Sequence, residues 1–123
     1  MPLNYTSALV AIAAPNFDRL VDFYQALFTQ EPTVHILNVY AEFHLPGLKL
    51  GIYRPKANDE LHSTLDAALS LCLEVVNLEA AIAHLTELRY PPPGKILTAS
   101  HGREIYAYDP DGNRLILHQA IDQ

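Results

Sequence analysis

The residues of this sequence most able to hold a metal ion are six histidines, His35, His44, His62, His84, His101 and His118. No two of them are two positions apart, as on one face of a strand, or four apart, as on one face of a helix. A site built from them would need residues that are distant in the sequence to converge. Spacing therefore predicts no local histidine pair with metal-binding geometry.

Two glutamates at predicted strand positions offer acid-base chemistry. Glu74 or Glu104 would serve as a general base if its side chain were buried. The alternative interpretation is an exposed carboxylate at the end of a strand, which is the more usual situation. Burial of the two carboxylates therefore decides between these interpretations.

Tyr53, Tyr106 and Arg114 offer ligand recognition. The two tyrosines could stack on a ligand or hydrogen-bond to it, although tyrosine in a strand is usually half-buried packing. Arg114 could hold an anionic group through two hydrogen bonds. The alternative for Arg114 is an exposed ion pair with Asp111 or Glu104.

Cys72 is the only cysteine, so no disulfide can form within the chain, which suits a reducing compartment. Its apolar neighbours Leu71 and Leu73 favour a small buried hydrophobic residue over a reactive thiol. No nucleophile-elbow, P-loop or dinucleotide-binding pattern occurs in the sequence. The absence of these three motifs means that the sequence gives no indication of the reactions they serve.

The first half of the chain predicts the element order βαβββ. A short strand at 7–14 precedes Asn16, a helix N-cap candidate. The following helix has an apolar face formed by Phe17, Leu20, Val21, Tyr24 and Leu27. Strands are predicted at 34–40, 41–45 and 48–54, the last two joined through Pro46-Gly47.

The second half repeats this order. A strand at 70–76 leads to Asn77, a second N-cap candidate, and the helix that follows has an apolar face formed by Leu78, Ala81, Ile82, Leu85 and Leu88. The Pro-Pro-Pro-Gly segment at 91–94 ends the helix, and strands are predicted at 95–98, 104–108 and 114–118. The last two flank the strong turn sequence Asp-Pro-Asp-Gly-Asn at 109–113.

The two halves read as copies of one unit. The N-cap asparagine and the turn glycine are 31 positions apart in the first half and 35 in the second. The repeats span about 5–56 and 67–121, with a polar surface linker at 55–64 between them. Each unit alone leaves one face of a small sheet uncovered, so we expect residues 1–123 to form a single domain with a shared core.

Length and charge narrow the class of protein. A chain of 123 residues fits one domain, and half of its residues are hydrophobic. The net charge is −6, with eight scattered Lys and Arg residues, which argues against a nucleic-acid partner. No basic N-terminal region and no apolar run of about 18 residues occurs, so we expect no membrane association and a cytoplasmic location.

Four motifs occur together in this sequence: Phe23-Tyr24 at the end of the first helix, Glu74-Val-Val-Asn-Leu-Glu-Ala-Ala at the entry to the second, Gly102-Arg-Glu, and Tyr108-Asp-Pro-Asp-Gly-Asn. In this combination they resemble the vicinal oxygen chelate superfamily, which includes glyoxalases, extradiol dioxygenases and the bleomycin- and fosfomycin-resistance proteins. The resemblance covers nearly the whole chain. It implies an α+β fold in which two βαβββ units form a cupped mixed sheet with the helices outside.

The resemblance also implies where a divalent metal would be bound, because enzymes of the superfamily usually hold one with His, Gln or Glu from four strands. The matching positions here are Leu9, Gly51, Ser70 and Ile116. None of these residues supplies a carboxylate, imidazole or thiolate, and a shift of one residue in register does not introduce one. We therefore expect a cup with no metal and no other cofactor.

If those four positions face into the cup, strand alternation places further side chains on the same surface. The family pattern also places the loop containing His101 at the border of the cup. The candidate ligand-binding residues are Tyr53, Glu74, His101, Glu104, Tyr106, Arg114 and His118.

Two functions from different classes remain open. The first is a metal-free binding protein that sequesters or carries a small, partly apolar molecule, as a homodimer, as dimerisation is common in the superfamily. The second is a glyoxalase-like lyase or isomerase, or a dioxygenase-type enzyme. It would use unexpected metal ligands such as His44, His101 or Glu104, or a metal-free acid or base such as Glu74, Glu104 or a tyrosine. A structural or protein-interaction protein with a collapsed cup is the third possibility.

Overall fold

The structure is a computed structural model that describes residue 4 and the ranges 6–55 and 69–121. Almost all of the predicted linker at 55–64 lies outside these residues. The chain divides into two compact units, residues 1–61 and 62–123. Within the described ranges, no helix is long and apolar enough to cross a membrane.

The first unit contains one helix and a four-stranded mixed sheet. Its elements are β1 (Val10–Ala13), α1 (Phe17–Phe28), β2 (Val34–Ile36), β3 (Tyr40–Leu45) and β4 (Leu48–Tyr53). The strand order is β1-β4-β3-β2, with β1 parallel to β4 and the remaining pairs antiparallel. The helix connects β1 to β2, which lies at the opposite edge of the sheet and runs in the same direction.

Helix α1 begins where the sequence predicts. The side chain of Asn16 accepts a hydrogen bond from the backbone N–H of Arg19 at 3.3 Å, and Thr29 ends the helix in the left-handed conformation. One face of the helix and one face of the sheet form the core. Its buried residues are Phe17, Leu20, Val21, Phe23, Tyr24, Ala41, Phe43, Leu50 and Ile52.

The second unit has the same element order and the same topology. Its elements are β5 (Leu71–Glu74), α2 (Leu78–Glu87), β6 (Leu97–Ala99), β7 (Gly102–Tyr108) and β8 (Arg114–Ala120). The strand order is β5-β8-β7-β6, with β5 parallel to β8. The predicted α+β fold class of two βαβββ units is therefore confirmed.

The core of the second unit is built in the same way. Asn77 caps α2 by accepting a hydrogen bond from the backbone N–H of Ala80 at 2.9 Å. Helix α2 contacts β8. The buried residues are Leu78, Leu85, Ile105, Ala107, Leu115 and Leu117.

The turn between β7 and β8 is organised by Asp109. This side chain is only 3% exposed, and it accepts hydrogen bonds from the backbone N–H groups of Asp111 and Asn113, both at 2.9 Å. Gly112 has a φ of 85°, which glycine adopts without steric cost. The turn fixes the register of β7 against β8, so it sets which side chains lie opposite each other across the sheet.

Several strand boundaries differ from the sequence prediction, among them the ends of β2 and β8. Strand β2 ends at Ile36 and not at Tyr40, because the N–H of Val39 donates to the carbonyl of Ile36 and Asn38 has a φ of 64°, which closes a turn. Strand β8 continues to Ala120 because it pairs with β7 as far as Gly102. The longer β8 brings its last residues beside the loop that contains His101.

Candidate functional site

The candidate site is the face of the second sheet opposite α2. We call it the open face, and its residues are Cys72, Glu74, Glu104, Tyr106, Tyr108, Arg114, Ile116 and His118. Strand alternation turns these side chains away from the core residues Ile105, Ala107, Leu115 and Leu117. The polar side chains form two groups, one at each end of this face.

Arg114 lies at one end of the open face. Its Nε donates a hydrogen bond to the Ser70 hydroxyl at 2.8 Å, and the guanidinium carbon lies 5.2 Å from the centroid of the Tyr106 ring. Within residues 6–55 and 69–121, the two terminal nitrogens of Arg114 have no side-chain hydrogen-bond partner, so they are available to a ligand. Among the described residues, no carboxylate forms an ion pair with Arg114, so the expected alternative pairing with Asp111 or Glu104 is not found.

His118 and Glu74 form a pair at the other end. Nδ1 of His118 lies 2.7 Å from one carboxylate oxygen of Glu74, whose second oxygen accepts a hydrogen bond from the Ala120 N–H at 2.7 Å. Glu74 therefore has a pKa below its ordinary value, mainly because of the His118 hydrogen bond and next because of the Ala120 N–H. An ionised carboxylate can only accept, so the proton of the pair lies on Nδ1 of His118.

His101 and Glu104 join His118 at this end. One ligand atom from each of the three side chains lies within 4.8 Å of the other two. The imidazole rings of His101 and His118 are nearly parallel, with centroids 5.3 Å apart. Nε2 of His118 is buried and has no hydrogen-bond partner among the described residues. The long-range convergence that histidine spacing left open therefore occurs here.

Cys72 is exposed on the open face, so its interpretation as a small buried hydrophobic residue is wrong. Its side chain points away from the core because it lies opposite Ile116 in the parallel pair of β5 and β8. The pKa of the thiol is raised, chiefly by partial burial and then by the charges of Glu104 and Glu74. A raised pKa lowers the thiolate fraction at neutral pH, which argues against a nucleophilic role.

The first sheet has its own polar group on the face opposite α1. The Tyr40 hydroxyl donates to Glu42 at 2.7 Å, and the second Glu42 oxygen lies beside Nε2 of His44. Burial, the hydrogen bond and the charge of Glu42 raise the pKa of Tyr40 to about 12. The hydrogen bonds of Tyr40 and His44 lower the pKa of Glu42. Tyr40 therefore stays protonated at neutral pH and is a donor, not a base.

The four positions that the superfamily uses for its metal do not fit one in this chain. A Cβ atom added at Gly51 would lie 2.6 Å from the Tyr40 hydroxyl oxygen, so the Tyr40 side chain occupies the space that a metal-binding side chain at this position would need. The Ser70 hydroxyl is engaged by Arg114. The side chains of Leu9 and Ile116 are hydrocarbons and have no atom that can bind a metal ion. These residues give no donor set for a divalent ion.

The structure groups six of the seven predicted site residues on the second unit. Glu74, His101, Glu104 and His118 come together at one end of the open face, while Tyr106 and Arg114 are in contact at the other. The seventh, Tyr53, belongs to the first unit, where it lies opposite Tyr40 between β3 and β4.

Sequence reasoning missed two kinds of partner. It did not place Ser70 beside Arg114, since that contact depends on the pairing of Leu71 with Leu115 in parallel strands. It also missed the Tyr40 and Glu42 pair, although tyrosine and glutamate two positions apart share a strand face and this spacing is a usable signal.

Comparison with known proteins shows similarity of structure. No protein-family model matches the sequence, and no curated protein matches it. A glyoxalase/bleomycin resistance protein from Catenulispora acidiphila is 21% identical, with a TM-score of 0.67 over 95% of this chain and 100% of the other. The fosfomycin resistance protein FosX of Listeria monocytogenes is 16% identical, with a TM-score of 0.74 over 97% and 96%.

A third solved structure is similar to this chain over a comparable length. Lactoylglutathione lyase from Agrobacterium tumefaciens is 16% identical to this chain, with a TM-score of 0.68 over 94% of this chain and 95% of the other. All three matches run over nearly the full length of both chains, as the motifs around Phe23-Tyr24 and Asp109–Asn113 imply. The chain therefore has the paired βαβββ fold of the vicinal oxygen chelate superfamily.

Proposed function

We propose that this protein binds a small, partly apolar molecule with an anionic group on the open face of its second sheet, without a metal at the four superfamily positions. The observation that carries the proposal is the state of Arg114, which is held by Ser70 and Tyr106 and has no carboxylate partner among the described residues. A guanidinium held in this way recognises a carboxylate or phosphonate through two parallel hydrogen bonds.

The surroundings of Arg114 suit the apolar part of such a molecule. Tyr106 and Tyr108 are each more than a third exposed on the open face, and Ile116 lies directly opposite Tyr106. Aromatic and aliphatic side chains with a few placed polar groups are typical of small-molecule sites. Two structural neighbours are named for resistance to bleomycin and fosfomycin, which supports small-molecule binding. A net charge of −6 makes nucleic acid an unsuitable partner.

Replacing Arg114 with glutamine tests the proposal directly. We expect benzoate and phenylphosphonate, titrated in the presence of EDTA, to shift the amide resonances of Tyr106, Arg114 and Ile116. Arg114→Gln should weaken the binding of both probes by about 10- to 100-fold, because it removes a charge-assisted pair of hydrogen bonds. Arg89→Gln, an exposed arginine of the same unit, is the control and should leave the affinity unchanged. Equal binding by both variants, or no shifts on the open face, would contradict the proposal.

A second function is supported by one observation, the pairing of Glu74 with His118. A carboxylate of lowered pKa that holds the proton on Nδ1 orients the imidazole for acid-base chemistry. Under this alternative the protein is a lyase or isomerase, which is consistent with a structural neighbour named as lactoylglutathione lyase. Turnover of a bound ligand that is lost in His118→Gln, with ligand affinity retained, would favour the enzyme over the binder.

We further propose that the protein is a homodimer in the cytoplasm. The edge strand β2 and the turn after it expose apolar side chains, with Ile36 53%, Leu37 76% and Val39 54% exposed. Contiguous exposed apolar residues of this kind mark interaction surfaces. Light scattering at tens of micromolar should give twice the mass of the 13.7 kDa chain, and Leu37→Glu should lower it toward the monomer. A monomer mass for the unmodified protein would rule the dimer out.

A further inference from the structure

Three side chains from separate segments converge at the end of the open face away from Arg114. Glu104 of β7 and His118 of β8 lie opposite each other across the antiparallel pair, and His101 precedes β7 in the loop from β6. The backbone carbonyl of His101 accepts a hydrogen bond from the N–H of Ile121, which ties this loop to the end of β8. The convergence is therefore built by the register of the sheet and not by one flexible segment.

The pairing of His118 prepares its free nitrogen for a metal ion. Because Glu74 holds the proton on Nδ1, the lone pair is on Nε2, which is buried and without a hydrogen-bond partner among the described residues. A carboxylate behind a histidine in this way is the arrangement that orients metal-binding histidines and increases their basicity. The second oxygen of Glu74 is fixed by the Ala120 N–H, so the carboxylate itself is held in place.

We infer that His101, Glu104 and His118 form a binding site for a borderline divalent transition metal such as Zn²⁺. Two imidazoles and one carboxylate are the ligand set of open zinc sites and of other first-row metal sites, whereas Mg²⁺ and Ca²⁺ prefer oxygen donors throughout. The ligand atoms lie within 4.8 Å of one another, so small side-chain rotations bring them to a common ion. Two carboxylates, Glu74 and Glu104, supply negative charge around it.

The charge around the group also favours a cation. The nearby Arg103 does not compete, because strand alternation turns it to the opposite face, where it pairs with Glu79 and also contacts Gln119. The site is distinct from the four superfamily positions, and the absence of donors there does not bear on it.

Zinc titration of the full chain tests the inference. After dialysis against EDTA and then metal-free buffer, calorimetry with ZnCl₂ alone should give one ion per chain, and MgCl₂ should give no comparable binding. His101→Ala, Glu104→Gln and His118→Gln should each weaken zinc by about tenfold or more, since each removes one of three ligands. His101 is an exposed loop residue, so His101→Ala is expected to fold normally, with circular dichroism as the check.

Two further measurements keep the result interpretable. His35→Ala changes an exposed histidine of the first unit and should bind zinc as tightly as the unmodified chain. Glu74→Gln keeps all three metal ligands but removes the carboxylate that orients His118. It should therefore weaken zinc binding by about 10- to 100-fold. Imidazole ¹⁵N resonances should then show that the His118 proton has left Nδ1. Retention of tight zinc binding in His101→Ala and Glu104→Gln, or weak and non-stoichiometric binding by the unmodified chain, would overturn the site.

Failure of this site and failure of the proposed ligand binding can be told apart. The zinc titration contains no organic ligand, and the benzoate and phenylphosphonate titrations contain EDTA. A protein that binds zinc but neither probe supports the metal site alone, and one that binds the probes but not zinc overturns the metal site alone.

Discussion

Replacing Phe43 with alanine is expected to lower the free energy of unfolding by about 3–5 kcal/mol. The Phe43 side chain is fully buried in the core between α1 and the first sheet. Its ring packs edge-on against Phe28 with centroids 5.7 Å apart, and Phe28 in turn stacks on Tyr24 at 5.6 Å. Removing the ring leaves an apolar cavity in a closely packed core. The loss of stability therefore combines the transfer free energy of the ring with the cost of that cavity.

Urea unfolding followed by circular dichroism measures this effect, with the midpoint and the slope compared separately. Asp22→Ala is the control in the same unit, because Asp22 is exposed on α1 and its removal should change stability by less than about 0.5 kcal/mol. A loss below about 1 kcal/mol for Phe43→Ala would show that the first unit does not depend on this packing.

Replacing Gly102 with alanine is expected to destabilise the protein by roughly 2–4 kcal/mol, and for a different reason. Gly102 is buried at the start of β7 with a φ of 155°, a conformation that residues with a side chain rarely adopt. An added methyl group would also lie 2.5 Å from the backbone carbonyl oxygen of Gln119 and 2.8 Å from Nε2 of His118. The backbone oxygen cannot turn aside, so β7 and β8 must separate locally.

Gly94→Ala is the matched control for this change. Gly94 is in the same unit, has no neighbouring atom within 4 Å of the added methyl group, and does not have the positive φ that resists a side chain. We expect its stability to stay within about 0.5 kcal/mol of the unmodified protein. If thermal or urea unfolding gave the same midpoint for both alanine variants, the close approach at Gly102 would be refuted.

Much of the fold follows from local sequence. Asn16 and Asn77 cap the helices as predicted, because an asparagine before an apolar face at helical spacing satisfies backbone donors without help from distant residues. Asp109 and Gly112 close the predicted turn for the same kind of local reason. The ends of β2 and β8 were predicted less well, since strand length depends on pairing with β3 and β7.

The site depended on contacts that local sequence does not contain. The exposed position of Cys72 and the contact of Arg114 with Ser70 follow from the register of β5 against β8, two parallel strands that are distant in the sequence. The expectation of no metal rests on the residue types at Leu9, Gly51, Ser70 and Ile116. The alternative of unexpected ligands named His44, His101 and Glu104 but did not bring His118 to them.

The sequence by itself determined the two βαβββ units and the absence of donors at the superfamily metal positions, because helix caps, turn residues and side-chain types are properties of single short segments. Only the tertiary structure decided that His101, Glu104 and His118 meet, with Glu74 behind them. These residues come from three strands and one loop up to 44 positions apart. Their meeting is set by hydrogen-bonded register across the sheet, and a shift of one residue would have turned His118 into the core.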